Sequence, residues 1–243
     1  MDLSQTTALV TGAGHRIGRA IALGLSEAGA RVAVHYLSSN DAAAETVRMV
    51  EAMGNEAASF RADLCDPAQC SALIRSVSER MGPVRVLVNN ASVFGRRALP
   101  ETSADDWDHY FAVNVRAPFL LTQAMATSLA PGVSGKVINL GDWRTARKDR
   151  FAYGASKAAL SGLTRSLAYA LAPSIQVNEV ALGAILPPAD IEAGLEAQAR
   201  DRGTIPAGRT GTLNEVVQAV LALCHNDYIT GERIHVDGGR HIA

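Results

Sequence analysis

Two side chains suited to acid–base chemistry lie four positions apart in the second half of the chain. Tyr153 and Lys157 belong to the segment YGASK, and on a helix this spacing places them on one face. An ammonium group held beside a phenol stabilises the phenolate and lowers the phenol pKa, which makes the hydroxyl a usable proton donor near neutral pH. By itself, the pair could equally belong to an ordinary exposed helix face.

A glycine-rich segment near the start of the chain is suited to holding a phosphate. Residues 11–18 read TGAGHRIG and directly follow a short apolar run. Glycines at a turn between a strand and a helix let backbone N–H groups and the positive end of the helix approach a pyrophosphate. Because the turn follows the first strand of a repeated strand–helix pattern, we predict a dinucleotide site that includes Gly12, Arg16, Ile17 and Gly18.

The end of the second predicted strand indicates which dinucleotide binds. NAD-specific sites usually have an acidic residue there, which holds the ribose hydroxyls and would repel a 2′-phosphate. This chain has HYLSS at residues 35–39, without an acid, and Arg16 adds a positive charge within the glycine turn. NADPH is therefore the predicted cofactor. Asp63 follows the third predicted strand, where its carboxylate could accept from the adenine amino group or cap the next helix.

The apolar pattern predicts the scaffold that positions these residues. Short runs rich in Val and Ile alternate with longer segments of helical period, which is typical of repeated strand–helix–strand units. We predict one α/β domain over residues 1–243, a Rossmann-type, doubly wound parallel sheet of about seven strands with helices on both faces. The predicted strands are Thr7–Val10, Arg31–Tyr36, Ala57–Arg61, Val84–Asn89, Lys136–Asn139, Ile175–Val180 and Arg233–Val236.

Punctuation residues predict where several helices begin. Asn40 or Asp41 is suited to cap the second helix, Pro67 suits the first turn of the third, and Thr212 with Glu215 forms a capping box for the last long helix. Residues 184–211 combine prolines and glycines with one short helical pattern, which is too irregular for a plain crossover. We interpret this segment as a substrate lid.

Composition excludes several classes of partner. The chain has 243 residues and a formal net charge of −1, so it has no excess of Lys and Arg for nucleic acid or an anionic membrane. It also lacks an apolar run of roughly 18 residues and a basic, apolar leader, so we expect a cytoplasmic protein. Three cysteines without metal-ligand spacing predict neither a disulfide framework nor a metal site, and we expect them to be small buried groups.

Five motifs considered together resemble the short-chain dehydrogenase/reductase family, over essentially the whole chain. They are TGxxxxxG at 11–18, NNAS at 89–92, Asn114 in VNV, YxxxK at 153–157 and DGG at 237–239. The resemblance implies that Tyr153 donates the proton, Lys157 positions the nicotinamide ribose, Asn114 belongs to a proton relay and the turn at Asn90 supports the central strand. It also implies cofactor contacts at His35, Tyr36, Ser38, Ser39, Leu64, Ala91, Ser92 and Gly183.

Three departures from the usual family pattern resemble the pteridine reductases and the related bacterial dihydromonapterin reductases. Arg16 replaces the middle glycine of the turn, Ser92 replaces the glycine of NNAG, and Asp142 replaces the serine after strand five. His35, Tyr36, Phe94 and a terminal DGGRH are further matches. This resemblance implies a pterin substrate that Phe94 stacks against the nicotinamide, protonation by Tyr153 or Asp142, and a substrate pocket lined by Arg16, Ser92, Phe94, Asp142 and Tyr153.

Two features leave alternatives open. Only eleven positions separate Asp142 from Tyr153, two fewer than is usual in the family, and Leu182 stands at the family's usual proline. A carbonyl or 3-oxoacyl thioester reductase is the alternative enzyme, and an NADPH-sensing regulator without turnover is disfavoured by the retained Tyr153, Lys157 and Asn114. The resemblance further implies a homodimer or homotetramer. The basic cluster Arg144, Arg147, Lys148 and Arg150 is expected to be a solvated face.

Overall fold

Strands and helices alternate along the chain in a computed structural model that describes residues 1–185 and 203–243. The strands are β1 (Thr7–Val10), β2 (Arg31–Tyr36), β3 (Ala57–Arg61), β4 (Val84–Asn89), β5 (Gly135–Asp142), β6 (Ile175–Leu182) and β7 (Arg233–Val236). The helices are α1 (Arg16–Glu27), α2 (Asn40–Ala52), α3 (Pro67–Met81), α4 (Ala104–Phe111), α5 (Ala117–Ser128), α6 (Phe151–Leu171) and α7 (Leu213–His225). A π-helical turn, Ala112–Arg116, joins α4 to α5, and short 3₁₀ helices span Leu99–Glu101 and Arg240–Ile242.

The seven strands form one parallel sheet in the order β3-β2-β1-β4-β5-β6-β7. The chain moves outward from β1 through β2 to β3, then returns to β4 on the other side of β1. At such a change of direction the loops after the two central strands diverge and leave a crevice at the carboxyl edge of the sheet. The predicted fold class is therefore confirmed, and the crevice lies between the loops that follow β1 and β4.

Two apolar layers cover the sheet. One contains buried side chains of α1, α2 and α7, including Ile21, Val50 and Val220. The other contains those of α3, α5 and α6, including Ile74, Leu121 and Ala168. Because both faces are covered, strands such as β1 are buried at every position, as their continuous apolar runs predict.

Some of the helix starts predicted from the sequence are confirmed, and others are not. The Thr212–Glu215 capping box is present at α7, and Pro67 begins α3 as predicted. At α3 the cap is Asp66, whose Oδ1 accepts from the Ala68 N–H at 2.9 Å, so Asp63 is not the cap. The predicted caps of α2, Asn40 or Asp41, are wrong by one and two residues, since the helix begins at Asn40 and its cap is Ser39.

Strands β5 and β6 continue further than their sequences predict. Gly141 and Asp142 have low strand propensity, and the predicted strand ends before them, at Asn139. In the structure, Asp142 pairs with Leu182, which also pairs with Val236 of β7. Because β6 pairs with β5 on one side and with β7 on the other, the strand pairing outweighs the low strand propensity of Gly141 and Asp142. Asp142 is therefore fixed by the sheet as the last residue of β5.

Most of the predicted lid, residues 186–202 of 184–211, lies outside the described residues. Within the parts of the chain that are described, no helix is long and apolar enough to cross a membrane.

Candidate active site

A groove of about 600 Å³ lies at the carboxyl edge of the sheet, where the change of strand direction predicts it. Its walls come from the loops after β1, β2, β3 and β4 and from the segment around the π-helical turn. Eleven of the predicted cofactor and substrate residues line it: Gly12, Arg16, Ile17, Gly18, His35, Asp63, Leu64, Asn90, Ala91, Ser92 and Phe94. Lining residues without a predicted role are His15, Leu37, Ala62, Cys65, Val93, His109 and Val113.

The glycine turn is held tightly against the loop that follows β4. A Cβ on Gly18 would lie 2.3 Å from the Gly12 carbonyl oxygen and 2.5 Å from Asn90 Nδ2, so only glycine is accommodated there. Asn90 Nδ2 donates to the carbonyls of Thr11 and Gly12 at 2.8 and 3.1 Å. These contacts join the first and fourth strand ends into one rigid wall, as the resemblance implies for Asn90.

Arg16 has an unusual backbone at the start of α1. Its φ of 52° lies in the left-handed region, which costs a residue with a Cβ about 1 to 2 kcal/mol relative to glycine. The side chain lines the groove. An arginine in place of glycine at this position is consistent with a functional requirement for its positive charge.

His35 supports the glycine turn from inside the protein. The Gly12 N–H donates to His35 Nδ1 at 3.1 Å, and His35 Nε2 lies 3.1 Å from the Ala62 carbonyl oxygen. Both contacts are satisfied by the neutral ring that carries its hydrogen on Nε2. Burial lowers the pKa of His35 to about 4, which keeps the ring neutral at physiological pH.

The far end of the groove is formed by the loops after β2 and β3. The Tyr36 hydroxyl donates to Asn40 Oδ1 at 2.8 Å, and Ser38 is exposed in the same loop, beside Ser39 at the start of α2. Asp63 Oδ1 accepts from the Cys65 N–H at 2.8 Å. The expectation of buried cysteines is confirmed for Cys70 and Cys224 but is wrong for Cys65, which lines the groove with its Sγ 3.3 Å from His109 Nδ1.

Behind Phe94, which lines the groove, the structure brings Asp142 and Tyr153 into contact, and neither of these two residues lines the groove itself. The Tyr153 hydroxyl donates to Asp142 Oδ2 at 2.8 Å, and both side chains are buried. The short separation between the two residues in the sequence therefore does not move Asp142 out of reach of Tyr153. Burial, together with the charge and hydrogen bond of Asp142, raises the pKa of Tyr153 well above its usual value.

The expectation that Lys157 lowers the pKa of Tyr153 is wrong for this structure. Lys157 Nζ donates to the Leu140 carbonyl at 2.8 Å and lies 5.9 Å from the centre of the Tyr153 ring. Burial lowers the pKa of Lys157 to about 8, while the charges of Asp142 and Glu179 oppose that shift. Tyr153 therefore keeps its proton near neutral pH.

The loop between β5 and α6 packs directly on the helix that carries Tyr153. A Cβ on Gly154 would lie 1.9 Å from the Thr145 carbonyl oxygen, so this approach requires glycine. The Gly154 N–H also donates to the Arg150 carbonyl at 2.9 Å. A compact loop is thereby accommodated without moving Asp142 away from Tyr153.

Asn114 lies in the π-helical turn, a type of irregularity common at functional sites. Its Nδ2 donates to Ser156 Oγ at 2.9 Å, and its Oδ1 accepts from the Val93 N–H and the Ser92 hydroxyl. Asn114 thus ties the wall of the groove to α6. Its role in a proton relay stays a prediction, and Ser156 is a partner that sequence reasoning missed.

Phe94 is 43% exposed at the groove and lies between two neighbours. Its ring meets that of Tyr153 edge-on, with centroids 4.7 Å apart, and the Arg150 guanidinium carbon lies 3.7 Å from its centroid. The arginine covers one part of the ring and leaves the exposed part for a ligand. Phe94 is therefore positioned by the ring of Tyr153 and by the guanidinium of Arg150.

The basic cluster is not a uniformly solvated face, so that prediction is wrong for two of its members. Arg147 pairs with Asp142, and Arg150 is only 4% exposed beneath Phe94. Arg144 and Lys148 are exposed as expected. The cluster's position directly before the YxxxK motif was the signal that could have identified these two arginines.

Glu179 is a buried acid that sequence reasoning also missed. It is 1% exposed on β6, and its Oε1 lies 3.3 Å from Arg233 Nε. A Cβ on Gly141 would lie 1.8 Å from that oxygen, and Arg233 also donates to the Asp142 carbonyl. Burial raises the pKa of Glu179. An acid within the apolar run IQVNEVAL was its sequence signal.

Gly183 lies just beyond β6, next to the carboxyl-terminal segment. Its N–H donates to the Val236 carbonyl at 2.9 Å, and a Cβ there would lie 2.6 Å from Asp237 Cα. The predicted cofactor contact at Gly183 stays a prediction. Taken together, the site offers a cradle for a dinucleotide, a phenol that keeps its proton, and a flat exposed ring.

Comparisons with known proteins show to which proteins the chain is similar. A family model described as Enoyl-(Acyl carrier protein) reductase matches residues 12–241. The curated 3-oxoacyl-[acyl-carrier-protein] reductase FabG of Staphylococcus aureus (strain Mu50 / ATCC 700699) is 34% identical over 243 residues, which cover 97% of this chain and 98% of the relative.

Two solved structures are similar throughout. FolM alternative dihydrofolate reductase 1 from Brucella canis, complexed with NADP, has a TM-score of 0.92 and 36% identity and covers 100% of this chain and 97% of its own. A blue fluorescent protein from a metagenomic library, in complex with NADPH, has a TM-score of 0.89 and 36% identity and covers 99% of each chain.

Proposed function

Because the chain belongs to the short-chain dehydrogenase/reductase family, we propose that it is an oxidoreductase that uses NADP(H) on a small organic substrate. The turn formed by Gly12, Gly18 and Asn90 suits a pyrophosphate, because glycine at position 18 lets the chain close tightly at the start of α1, beside the groove. Arg16 supplies charge for a 2′-phosphate, and the end of β2 carries no acid to repel one. The NADP and NADPH complexes of similar proteins support this assignment.

The substrate we propose is a pterin, reduced from the dihydro to the tetrahydro form. The observation that carries this proposal is the 2.8 Å hydrogen bond from Tyr153 to Asp142, an acid where most of the family has serine. The exposed ring of Phe94 suits a flat heterocycle. The similarity to a FolM alternative dihydrofolate reductase gives further support.

NADPH would supply the hydride when bound, and the chain's own residues would orient the substrate and provide the proton. Hydride addition to a C=N bond leaves negative charge on nitrogen, a base strong enough to take the proton of Tyr153 despite its raised pKa. Lys157 would hold the nicotinamide ribose, and its ammonium would place a positive charge near Tyr153. Asn114 anchors the wall that carries Ser92 and would lie on the path that returns a proton to Tyr153.

A 3-oxoacyl thioester reductase is the second candidate. The specific observation that favours it is the 34% identity to the FabG reductase of Staphylococcus aureus across nearly the whole chain. In that reaction Tyr153 would protonate a ketone oxygen. An ionised carboxylate beside the hydroxyl cannot donate a second hydrogen bond to that oxygen, which is why we rank this activity lower.

A substrate panel distinguishes the two candidates. We would measure NADPH oxidation with dihydrobiopterin and dihydrofolate, and in parallel with acetoacetyl thioesters and simple ketones. The pterin proposal predicts a kcat/KM at least about tenfold higher for a dihydropterin than for any carbonyl compound, the factor that about 1.4 kcal/mol of differential transition-state binding gives. Higher kcat/KM for the thioester would reject the pterin assignment and establish the second candidate.

Two further properties belong to this proposal. We propose a homodimer or homotetramer, as the family resemblance implies, and a cytoplasmic location, where NADPH-linked reduction of small molecules takes place. Sedimentation of the purified protein tests the first property, and cell fractionation tests the second.

A further inference from the structure

The carboxylate of Asp142 receives four donor contacts from its surroundings. Its Oδ1 accepts from the Arg144 N–H at 2.8 Å and from Arg147 Nη2 at 2.8 Å. Its Oδ2 accepts from Arg147 Nη2 at 3.1 Å and from the Tyr153 hydroxyl at 2.8 Å. One arginine therefore contacts both oxygens, and each of the two remaining donors contacts a different oxygen.

These contacts use the whole capacity of the carboxylate. An ionised carboxylate has about four acceptor sites, and four donor contacts occupy them. Asp142 has no site left for a substrate N–H unless one of the contacts breaks. In this arrangement its influence on the reaction passes through the hydroxyl of Tyr153.

We propose that Arg147 is a positioning residue that pairs with the buried Asp142 carboxylate and thereby fixes the Tyr153 hydroxyl oxygen, whose single hydrogen turns from Asp142 to the substrate when the proton is donated. This inference rests on the proposed role of Tyr153 as the proton donor. The pair is partly withdrawn from water, since the side chains of Arg147 and Asp142 are 22% and 10% exposed. A buried carboxylate without a counterion is strongly unfavourable, so the arginine is what allows an acid to replace the usual serine.

The compact loop explains why Arg147 can reach Asp142. The loop closes on Gly154 of α6, and within it Arg147 Nε donates to the Arg144 carbonyl at 3.1 Å. That contact points the guanidinium back toward the end of β5. In addition, the charge of Arg147 opposes the rise in the pKa of Tyr153 that burial and Asp142 cause, and Arg150 acts in the same direction.

The experiment compares Arg147→Met with Lys148→Met, which removes the same charge from the next, exposed position of the loop. With dihydrobiopterin and with an acetoacetyl thioester as probes, Arg147→Met should lower kcat by about 10- to 100-fold, the loss expected for a charged hydrogen-bonded partner. Its KM for NADPH should change less than about twofold, because Arg147 does not line the cofactor groove. Lys148→Met should retain the kcat of the unmodified protein, and Arg147→Lys should recover part of it.

A double-mutant cycle separates this role from simple support of the loop. In an Asp142→Ala background there is no carboxylate to pair, so Arg147→Met should then have almost no further effect on kcat. Equal losses in both backgrounds, or a loss with Lys148→Met as large as with Arg147→Met, would overturn the inference.

The same cycle measured in melting temperature needs no substrate. It should show coupling between positions 142 and 147, and its absence would also count against the pair. If Tyr153→Phe retains turnover, the proposed function fails instead. If Tyr153→Phe is inactive while Arg147→Met is unaffected, only the present inference fails.

Discussion

The hydroxyl of Tyr153 is the group on which the proposed chemistry depends. It is buried, donates to Asp142 and has a raised pKa, so it keeps its proton near neutral pH. In the proposed reaction it gives that proton to the reduced substrate. Tyr153→Phe removes that proton and little else. We expect kcat to fall by at least about 100-fold, at the low end of general acid catalysis, while the Kd for NADPH measured by titration stays within about twofold. Unchanged turnover would show that another group supplies the proton.

His35 makes the glycine turn sensitive to acid. Its pKa in the folded protein is about 4, against 6.5 for an ordinary histidine, so below about pH 6.5 the unfolded state binds more protons than the folded state. The stability contributed by the neutral ring is present above pH 6.5 and is lost as pH falls toward 4, up to roughly 3 kcal/mol. Protonation of Nδ1 would also remove the acceptor of the Gly12 N–H.

Urea unfolding at pH 7.5 and pH 5 tests this dependence. The unmodified protein should lose stability at pH 5, and His35→Gln should lose distinctly less over the same interval. His225→Gln, which changes an exposed histidine, should behave like the unmodified protein. If His35→Gln and the unmodified protein show the same pH dependence, His35 is not the group responsible.

At the scale of elements, the contact between the β5–α6 loop and α6 decides where Asp142 points. Gly154→Ala would place a methyl group 1.9 Å from the Thr145 carbonyl and so push the loop away from the helix. We expect kcat to fall by about tenfold or more, since a displacement of about 1 Å at a reacting group is costly. Gly162→Ala, in the same helix with open space around it, is the matched control and should leave kcat unchanged. Equal kcat in both variants would contradict this account of the loop.

At the scale of the whole molecule, the cofactor should stabilise the fold by joining the strand ends around the crevice. At 100 times its Kd, NADPH should add about 2.7 kcal/mol, or about 5 to 10 °C in melting temperature for a chain of this size. At the same concentration NADH should raise the melting temperature less, because it lacks the 2′-phosphate.

The variant Arg16→Gly tests the same assignment, because its melting temperature should respond differently without and with NADPH. Without cofactor, the variant should melt at the same or a higher temperature, because glycine relieves the φ of 52°. With NADPH, its stabilisation should be smaller, because the charge is lost. An undiminished NADPH shift in Arg16→Gly, or a larger shift with NADH in the unmodified protein, would reject the cofactor assignment.

The sequence alone was sufficient for the fold and for the glycine turn after β1, because both depend on local patterns. Apolar runs of the right length predict the seven strands, and glycine spacing predicts the turn at residues 11–18. The motif YxxxK needs only one helical turn to bring Tyr153 and Lys157 to one face.

The tertiary structure decided which side chains surround Tyr153, because those side chains come from segments that share no sequence pattern. Asp142 is fixed by strand pairing that its own propensity does not favour, and Arg147 reaches it because a loop closes on Gly154. Glu179 and Arg150 are both buried, and although each stands beside a recognisable sequence signal, only the packed structure shows which charges surround it. Burial and charge pairing depend on which distant segments meet in space, so the high pKa of Tyr153 is a property of the packed fold.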